Sequence, residues 1–197
     1  MSTRITGRVR PPAAAGRFYP DDPDELRAAV DGLLDAAGPT SGPVPRALIV
    51  PHAGYGYSGP VAASAYATVR GAAARLRRVA LLGPAHFVPL AGAVVPVAEA
   101  WRTPLGDVPI DLGLRRVAQG AGAAADDEPH EPEHAIEVQL PFLLRLLGPD
   151  LRVLPVAVGA STADTVAGLI EALAAEADLV VVSTDLSHYH DLAAARR

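Results

Sequence analysis

Residues 45–55 read PRALIVPHAGY, and this stretch decides the fold class of the 197-residue chain. The run ALIV (47–50) is short, apolar and bounded by proline, which is typical of a buried strand. An alanine-rich segment with helical character, residues 59–70, follows it closely. A buried strand that leads through a polar turn into a helix indicates a βα unit of an α/β protein.

The same pattern recurs on both sides of this stretch. Further strands are predicted at 78–82, 93–97, 151–158 and 179–183, and helices at 22–37, 59–70, 111–119, 133–147 (bent at Pro141) and 161–176. A hairpin is predicted around Gly106. This order predicts one α/β domain over residues 1–197, with a mostly parallel central sheet flanked by helices. A (β/α)8 barrel would need about 250 residues and more βα units.

Composition excludes several kinds of chemistry. The net charge of -5 and pI of about 5.6 argue against a nucleic-acid or anionic-membrane surface. All seventeen basic residues are Arg, so lysine-dependent chemistry is excluded, and the lack of Cys excludes thiolate ligands from this chain. The longest apolar stretch, 79–101, is interrupted by glycine and proline and does not resemble a membrane helix. We therefore expect a cytoplasmic protein that makes no contact with membranes.

Polar residues follow three of the predicted strands at their carboxyl ends. They are His52, His86, Asp185 and His188. Ligands of open α/β sheets bind at this edge, and histidines together with a carboxylate are typical of a metal site. The spacing does not choose among iron, zinc and copper. The alternative is that each residue caps a helix or bonds a backbone carbonyl.

Residues 130–134 read HEPEH and match the zinc-protease pattern H-E-x-x-H. That chemistry needs both histidines on one face of a helix, and Pro132 is tolerated only in a first turn, which leaves His130 outside the helix. We therefore predict that His130 and His134 do not form a zinc-protease pair. His134 and Glu137 share a helical face, either as a pocket base with its orienting carboxylate or as a surface pair.

Six segments carry a family resemblance: PAAAGRFYPDDPDEL (12–26), ALIVPHAGYGYSGPVAASAY (47–66), LLGPAHFVPLAG (81–92), TPLGDVPID (103–111), EHAIEVQLPFL (133–143) and VVVSTDLSHYH (180–190). In these the chain resembles the MEMO family, whose bacterial members are called AmmeMemoRadiSam system protein B. That family is similar in fold to class III extradiol dioxygenases of the LigB type, which carry non-haem iron. The resemblance therefore implies a LigB-like domain with a metal pocket.

The resemblance also implies roles for individual residues. Metal binding, to Fe(II) or copper, falls to His52 and His86. Catalytic roles fall to His134, His188 and Asp185. Ligand-binding roles fall to Tyr55, Tyr57, Glu137 and Tyr189. The system name further implies radical-SAM and AMMECR1-type proteins as partners.

The chain departs from the family pattern after residue 190. Family members continue well beyond this segment and often supply a Cys to the metal, whereas this chain stops at Arg197 and has no Cys. The resemblance therefore implies a C-terminally truncated member that lacks a third ligand and binds metal weakly. Three functions stay open: a dioxygenase-like oxidoreductase, a non-catalytic module for a peptide or small ligand, and a metal-assisted hydrolase.

Overall fold

A six-stranded sheet lies at the centre of the computed structural model, which describes residues 7–196. In spatial order its strands are β2 (Ala47–Val50), β9 (Leu179–Ser183), β3 (Arg78–Pro84), β8 (Arg152–Val158), β4 (Ala93–Val95) and β7 (Ala124–Ala125). The first four run parallel to one another, and β4 pairs antiparallel with β8. The predicted α/β class with a mostly parallel sheet is confirmed. Strands β4 and β7 are the exception, because they pair parallel with each other and run opposite to the other four strands.

A second, three-stranded sheet packs beside the first. It consists of β1 (Val9–Arg10), β5 (Ala100–Thr103) and β6 (Gly106–Pro109). Strands β5 and β6 form the hairpin predicted around Gly106, whose positive φ of 131° suits a residue without a Cβ. Strand β1 adds to β5 in parallel and carries Arg10 into the interior.

Helices flank the large sheet in two groups. They are α1 (Pro23–Ala37), α2 (Tyr55–Ala67), α3 (Leu112–Gly120), α4 (Leu140–Leu147), α5 (Ala163–Glu176) and α6 (Leu192–Ala195). Helices α1, α2 and α4 pack on one another, and α3 packs against α5. Helix α1 begins as predicted, because the Asp22 carboxylate accepts hydrogen bonds from the amides of Asp24 and Glu25 at 2.9 Å.

Two predicted helices begin elsewhere in the structure. Helix α2 starts at Tyr55, directly after the strand-end turn, rather than at residue 59. The helix predicted over 133–147 is shorter. Residues 133–134 have no regular structure, residues 135–136 form a turn and Glu137–Gln139 a 3-10 helix, and α4 starts only at Leu140. The Glu133 carboxylate accepts the amides of the next two residues, and this local bonding replaces the first helical turn.

The core is built from the two central strands and the aromatic residues around them. Strands β3 and β8 are buried along almost their whole length, as expected of parallel strands covered on both faces. The largest fully buried side chains include Trp101, Tyr66 and Phe142. Within residues 7–196, no helix combines the length and apolar character needed to span a bilayer.

Candidate metal centre

Four histidines from four separate segments converge at the carboxyl edge of the large sheet. His52 follows β2, His86 follows β3 and His188 follows β9, while His134 comes from the turn before α4. The ring centroid of His52 lies 5.2 Å from that of His86, 5.6 Å from His134 and 6.4 Å from His188. Since β9 lies between β2 and β3, the three strand ends meet as expected for this topology.

Two overlapping groups of three side chains present metal-ligand atoms within 4.8 Å of one another. One group is His52, His86 and His134, and the other is His52, Asp185 and His188. The sequence implied that a third ligand is missing, whereas each of these groups offers three side chains that could hold an ion. The turn that replaces the first part of the predicted helix brings His134 into the pocket as a third imidazole.

The hydrogen bonds around His52 fix which of its ring nitrogens carries the proton. Its Nδ1 lies 3.2 Å from Ser183 Oγ, and the Ser183 hydroxyl donates its only proton to the carbonyl of Ala135 at 2.6 Å. Ser183 Oγ also accepts from Gln139 Nε2 at 2.8 Å, and that amide is oriented by Tyr66, which donates to Gln139 Oε1. His52 Nδ1 must therefore donate, which leaves Nε2 with a free lone pair.

His52 Nε2 is the atom that best fits a metal ion. The residue is 2% exposed, and this nitrogen has no hydrogen-bond partner within the described chain. Burial, assisted by the nearby imidazoles of His86 and His134, lowers the pKa of His52 to about 4 against the opposing charge of Asp185. A buried, neutral imidazole with an unpartnered lone pair is the state that a cation requires.

Asp185 connects the loop after β9 to the loop after β2. Its Oδ1 accepts the backbone amide of His52 at 2.6 Å, and its Oδ2 lies 3.0 Å from His188 Nε2. Burial would raise the pKa of Asp185, but the hydrogen bond from the His52 amide and the two neighbouring imidazoles lower it below its usual value. The side chain of His188 is 51% exposed, so this histidine stands at the rim of the pocket.

Glu133 is a site residue that the sequence reasoning missed. Its fully buried carboxylate accepts from the backbone amide and Nδ1 of His86, at 2.6 and 2.9 Å, and from the amides of His134 and Ala135. Burial alone would raise the pKa of Glu133, but these contacts, with the His134 imidazole foremost, lower it to about 2. The signal that could have found it was its place beside His134 in the HEPEH motif.

Glu137 lies apart from the histidines and holds the N-terminal segment instead. Its two oxygens accept from Tyr19 Oη at 2.6 Å, from two backbone amides of residues 13–14 at 2.8 Å, and from Arg10. The His134 ring is therefore not among the hydrogen-bond partners of the Glu137 carboxylate in the described residues. The expected pairing of His134 with Glu137 is replaced by the contact between His134 and Glu133, at 3.2 Å.

The three tyrosines assigned to ligand binding lie in different surroundings. Tyr55 is buried, and its hydroxyl donates to the carbonyl of Val138 at 2.7 Å. Tyr57 is 88% exposed and Tyr189 is fully exposed. Tyr189 lies beside His188, with ring centroids 6.1 Å apart.

Two phenylalanines supply the aromatic surface that the tyrosines do not. Phe18 stacks on the His134 ring with centroids 4.2 Å apart, and Phe87 meets the same ring edge-on at 5.7 Å. Phe87 is 54% exposed, so it borders the opening of the pocket. The histidine cluster therefore opens between aromatic rings from the N-terminal segment and from the loop after β3.

His130 is separated from this cluster, as the prolines of the HEPEH motif predicted. It ends the short 3-10 helix Glu128–His130 and packs against Trp101, with ring centroids 5.5 Å apart. Burial lowers the pKa of His130 to about 4, assisted by the charge of Arg10. The motif therefore does not form a zinc-protease pair.

Comparison with known proteins places these residues in a family. The model of the Memo-like protein family matches residues 10–194, a range that contains all the histidines of the cluster and their hydrogen-bond partners. This chain belongs to the Memo-like family. The family part of the resemblance drawn from the sequence is thereby confirmed.

Curated relatives agree with this assignment. A MEMO1 family protein of Aquifex aeolicus is 39% identical over 199 residues, which covers 96% of this chain and 71% of the relative. One from Methanopyrus kandleri is 40% identical over 93% of this chain and 71% of its own length. One from Sulfolobus acidocaldarius is 38% identical, with 93% and 72% covered.

Proposed function

We propose that this Memo-like protein binds a redox-active divalent transition-metal ion, iron or copper, through His52, His86 and His134. The observation that carries the proposal is the convergence of three imidazoles whose ligand atoms lie within 4.8 Å of one another. The buried, unpartnered Nε2 of His52 supports it. Imidazole nitrogen suits iron, copper, zinc and nickel, and a set without thiolates does not favour the softest ions. The resemblance to non-haem iron enzymes favours iron or copper among these.

The reaction class that we assign to the site is dioxygenase-like oxidation of a small organic molecule. A bound redox-active ion would supply the electron-transfer chemistry. The chain itself supplies three imidazole donors, which leave coordination positions open to small molecules. The rings of Phe18 and Phe87 contact the His134 ring and provide apolar surface beside the histidines.

His188 is the residue that we assign to proton transfer. It stands at the half-exposed rim of the pocket, and its Nε2 is held 3.0 Å from Asp185 Oδ2. A histidine within reach of both solvent and the pocket, oriented by a carboxylate, is suited to give or take a proton from a bound molecule. Asp185 fixes the orientation of that ring, and Asp185 is itself held by the backbone amide of His52.

A binding module without catalysis is the alternative function. The aromatic rings at the opening favour it, because Phe18 and Phe87 present an apolar border to any ligand that enters. Such a module would need no redox metal. Metal content therefore separates the two functions.

Anaerobic titration of metal-free protein with Fe(II), Cu(II) and Zn(II), followed by calorimetry, tests the metal proposal. We expect one ion per chain, and a loss of affinity of at least 100-fold in His52→Asn and His86→Asn, since each removes a ligand. His190→Asn is the matched control, because His190 is exposed and belongs to neither ligand group. No binding, or equal binding by His52→Asn, would overturn the proposal.

A further inference from the structure

The Glu133 carboxylate is surrounded by hydrogen-bond donors. Three backbone amides point at it, those of His86 at 2.6 Å, His134 at 2.9 Å and Ala135 at 2.8 Å. Two imidazole nitrogens also face Oε1, His86 Nδ1 at 2.9 Å and His134 Nδ1 at 3.2 Å. Backbone amides can only donate, so this buried side chain is placed as an acceptor on both oxygens.

The contact with Glu133 determines the tautomer of His86. A carboxylate oxygen accepts but does not donate, so the proton of the neutral imidazole must lie on Nδ1. The lone pair then lies on Nε2, the other ring nitrogen. His52 reaches the same state through Ser183, so two different partners impose one tautomer on both rings.

Arg10 holds the Glu133 backbone in place from the other side. Its guanidinium donates to the carbonyls of Glu133 and His130, each at 2.7 Å, and lies 4.2 Å from the centre of the Trp101 ring. Arg10 itself is 3% exposed. The backbone that carries the carboxylate is therefore fixed by Arg10, through contacts that involve no imidazole nitrogen.

We propose that Glu133 is the positioning residue of this pocket, which fixes His86 as the Nδ1–H tautomer and so presents its Nε2 lone pair for cation binding. The consequence for cation binding rests on the proposed function, whereas the tautomer does not. A carboxylate that accepts from a ligating histidine also makes the imidazole more basic, and loss of such a partner typically lowers metal affinity about 10–100-fold.

Nitrogen-15 NMR of metal-free protein with labelled histidine, at pH 7.5 in the presence of a chelator, tests the tautomer directly. The His86 signals are assigned by their loss in His86→Asn. In the wild type we expect a protonated Nδ1 and an unprotonated Nε2 on His86. An Nε2-protonated His86 in the wild type would overturn the proposal, and this measurement needs no variant at position 133.

Variants at position 133 then test whether Glu133 is the cause. Glu133→Ala removes both acceptor oxygens. Glu133→Gln keeps the volume but replaces one oxygen by an NH2 group, which cannot accept, so at least one N–H donor loses its partner. We expect the His86 signals to move toward a mixture of tautomers while those of His52 stay. Ser183→Ala is the matched control, which should release His52 and leave His86 unchanged. Unchanged His86 signals in a folded Glu133 variant would contradict the proposal.

Titration with Fe(II) and Zn(II) separates this inference from the proposed function. We expect Glu133→Gln to weaken binding about 10–100-fold. If the wild type binds no metal but His86 shows the Glu133-dependent tautomer, the metal function fails and the inference stands. If metal binds with equal affinity in wild type and Glu133→Gln, the metal function stands and the positioning role fails.

Discussion

At the scale of single residues, His130 makes the stability of the fold depend on pH. It is 1% exposed, and burial together with Arg10 lowers its pKa to about 4, whereas an unfolded histidine has a pKa of about 6.5. At a pH between these two pKa values, His130 is protonated in the unfolded chain and neutral in the folded chain. The contribution is therefore fully present above pH 6.5 and is lost as the pH falls toward 4, and it amounts to about 3 kcal/mol.

Replacement of His130 by leucine should flatten this dependence. Leucine has a similar volume and no proton to gain. When the pH is lowered from 7 to 4.5, we expect the free energy of unfolding to fall less in His130→Leu than in the wild type, by up to about 3 kcal/mol. Urea unfolding of metal-free protein at both pH values measures the difference. His190→Asn serves as the control at an exposed histidine. Equal losses in wild type and His130→Leu would show that His130 does not cause the acid sensitivity.

At the scale of elements, the segment from Glu133 to Gln139 shows what a sequence pattern can and cannot predict. His52, His86 and Asp185 could be placed at one sheet edge because each directly follows an apolar strand, and parallel strands end together. The local pattern of residues 133–147 favoured one helix. A buried carboxylate and the distant Arg10 impose a turn there, and a contact across more than 120 residues leaves no local signal.

The same distance explains why Glu133 and Glu137 were misjudged. Helical spacing placed Glu137 on the face of His134, whereas its position is set by Arg10 and by the segment around Tyr19. Glu133 looked like a helix-terminal acidic residue and is instead the partner of His86. Residue types and strand ends therefore predicted which histidines meet, but not which carboxylates serve them.

Arg10 should be among the most sensitive positions of the fold. Its ion pair with Glu137 is buried on both sides, and removal of one member leaves an uncompensated charge. We expect Arg10→Met to lower the free energy of unfolding by about 3–5 kcal/mol, as measured by urea denaturation. Arg17→Met, at an exposed arginine, should change it by less than about 0.5 kcal/mol. A double variant, Arg10→Met with Glu137→Gln, should cost less than the sum of the single changes, and strict additivity would argue against the pairing.

At the scale of the whole molecule, the pocket exists only when distant parts of the chain are assembled. Its residues come from the loops after β2, β3 and β9 and from the turn before α4, and β1 supplies the arginine that holds this turn. No single segment carries more than part of the ligand set. A cation that binds the native pocket must therefore stabilise the entire fold against unfolding, by mass action.

Thermal unfolding should report this coupling. At a free Fe(II) or Zn(II) concentration 100 times the dissociation constant, binding adds about 2.7 kcal/mol to the free energy of unfolding. For a chain of this length we expect a rise in Tm of about 5–10 °C. The fluorescence of Trp101, the only tryptophan and fully buried, follows the transition. The double variant His52→Asn with His86→Asn should show no rise at the same metal concentration, since both ligands are gone. An equal rise in that variant would locate the cation outside the histidine cluster, and a lack of any rise in the wild type would mean that the assembled pocket does not bind it.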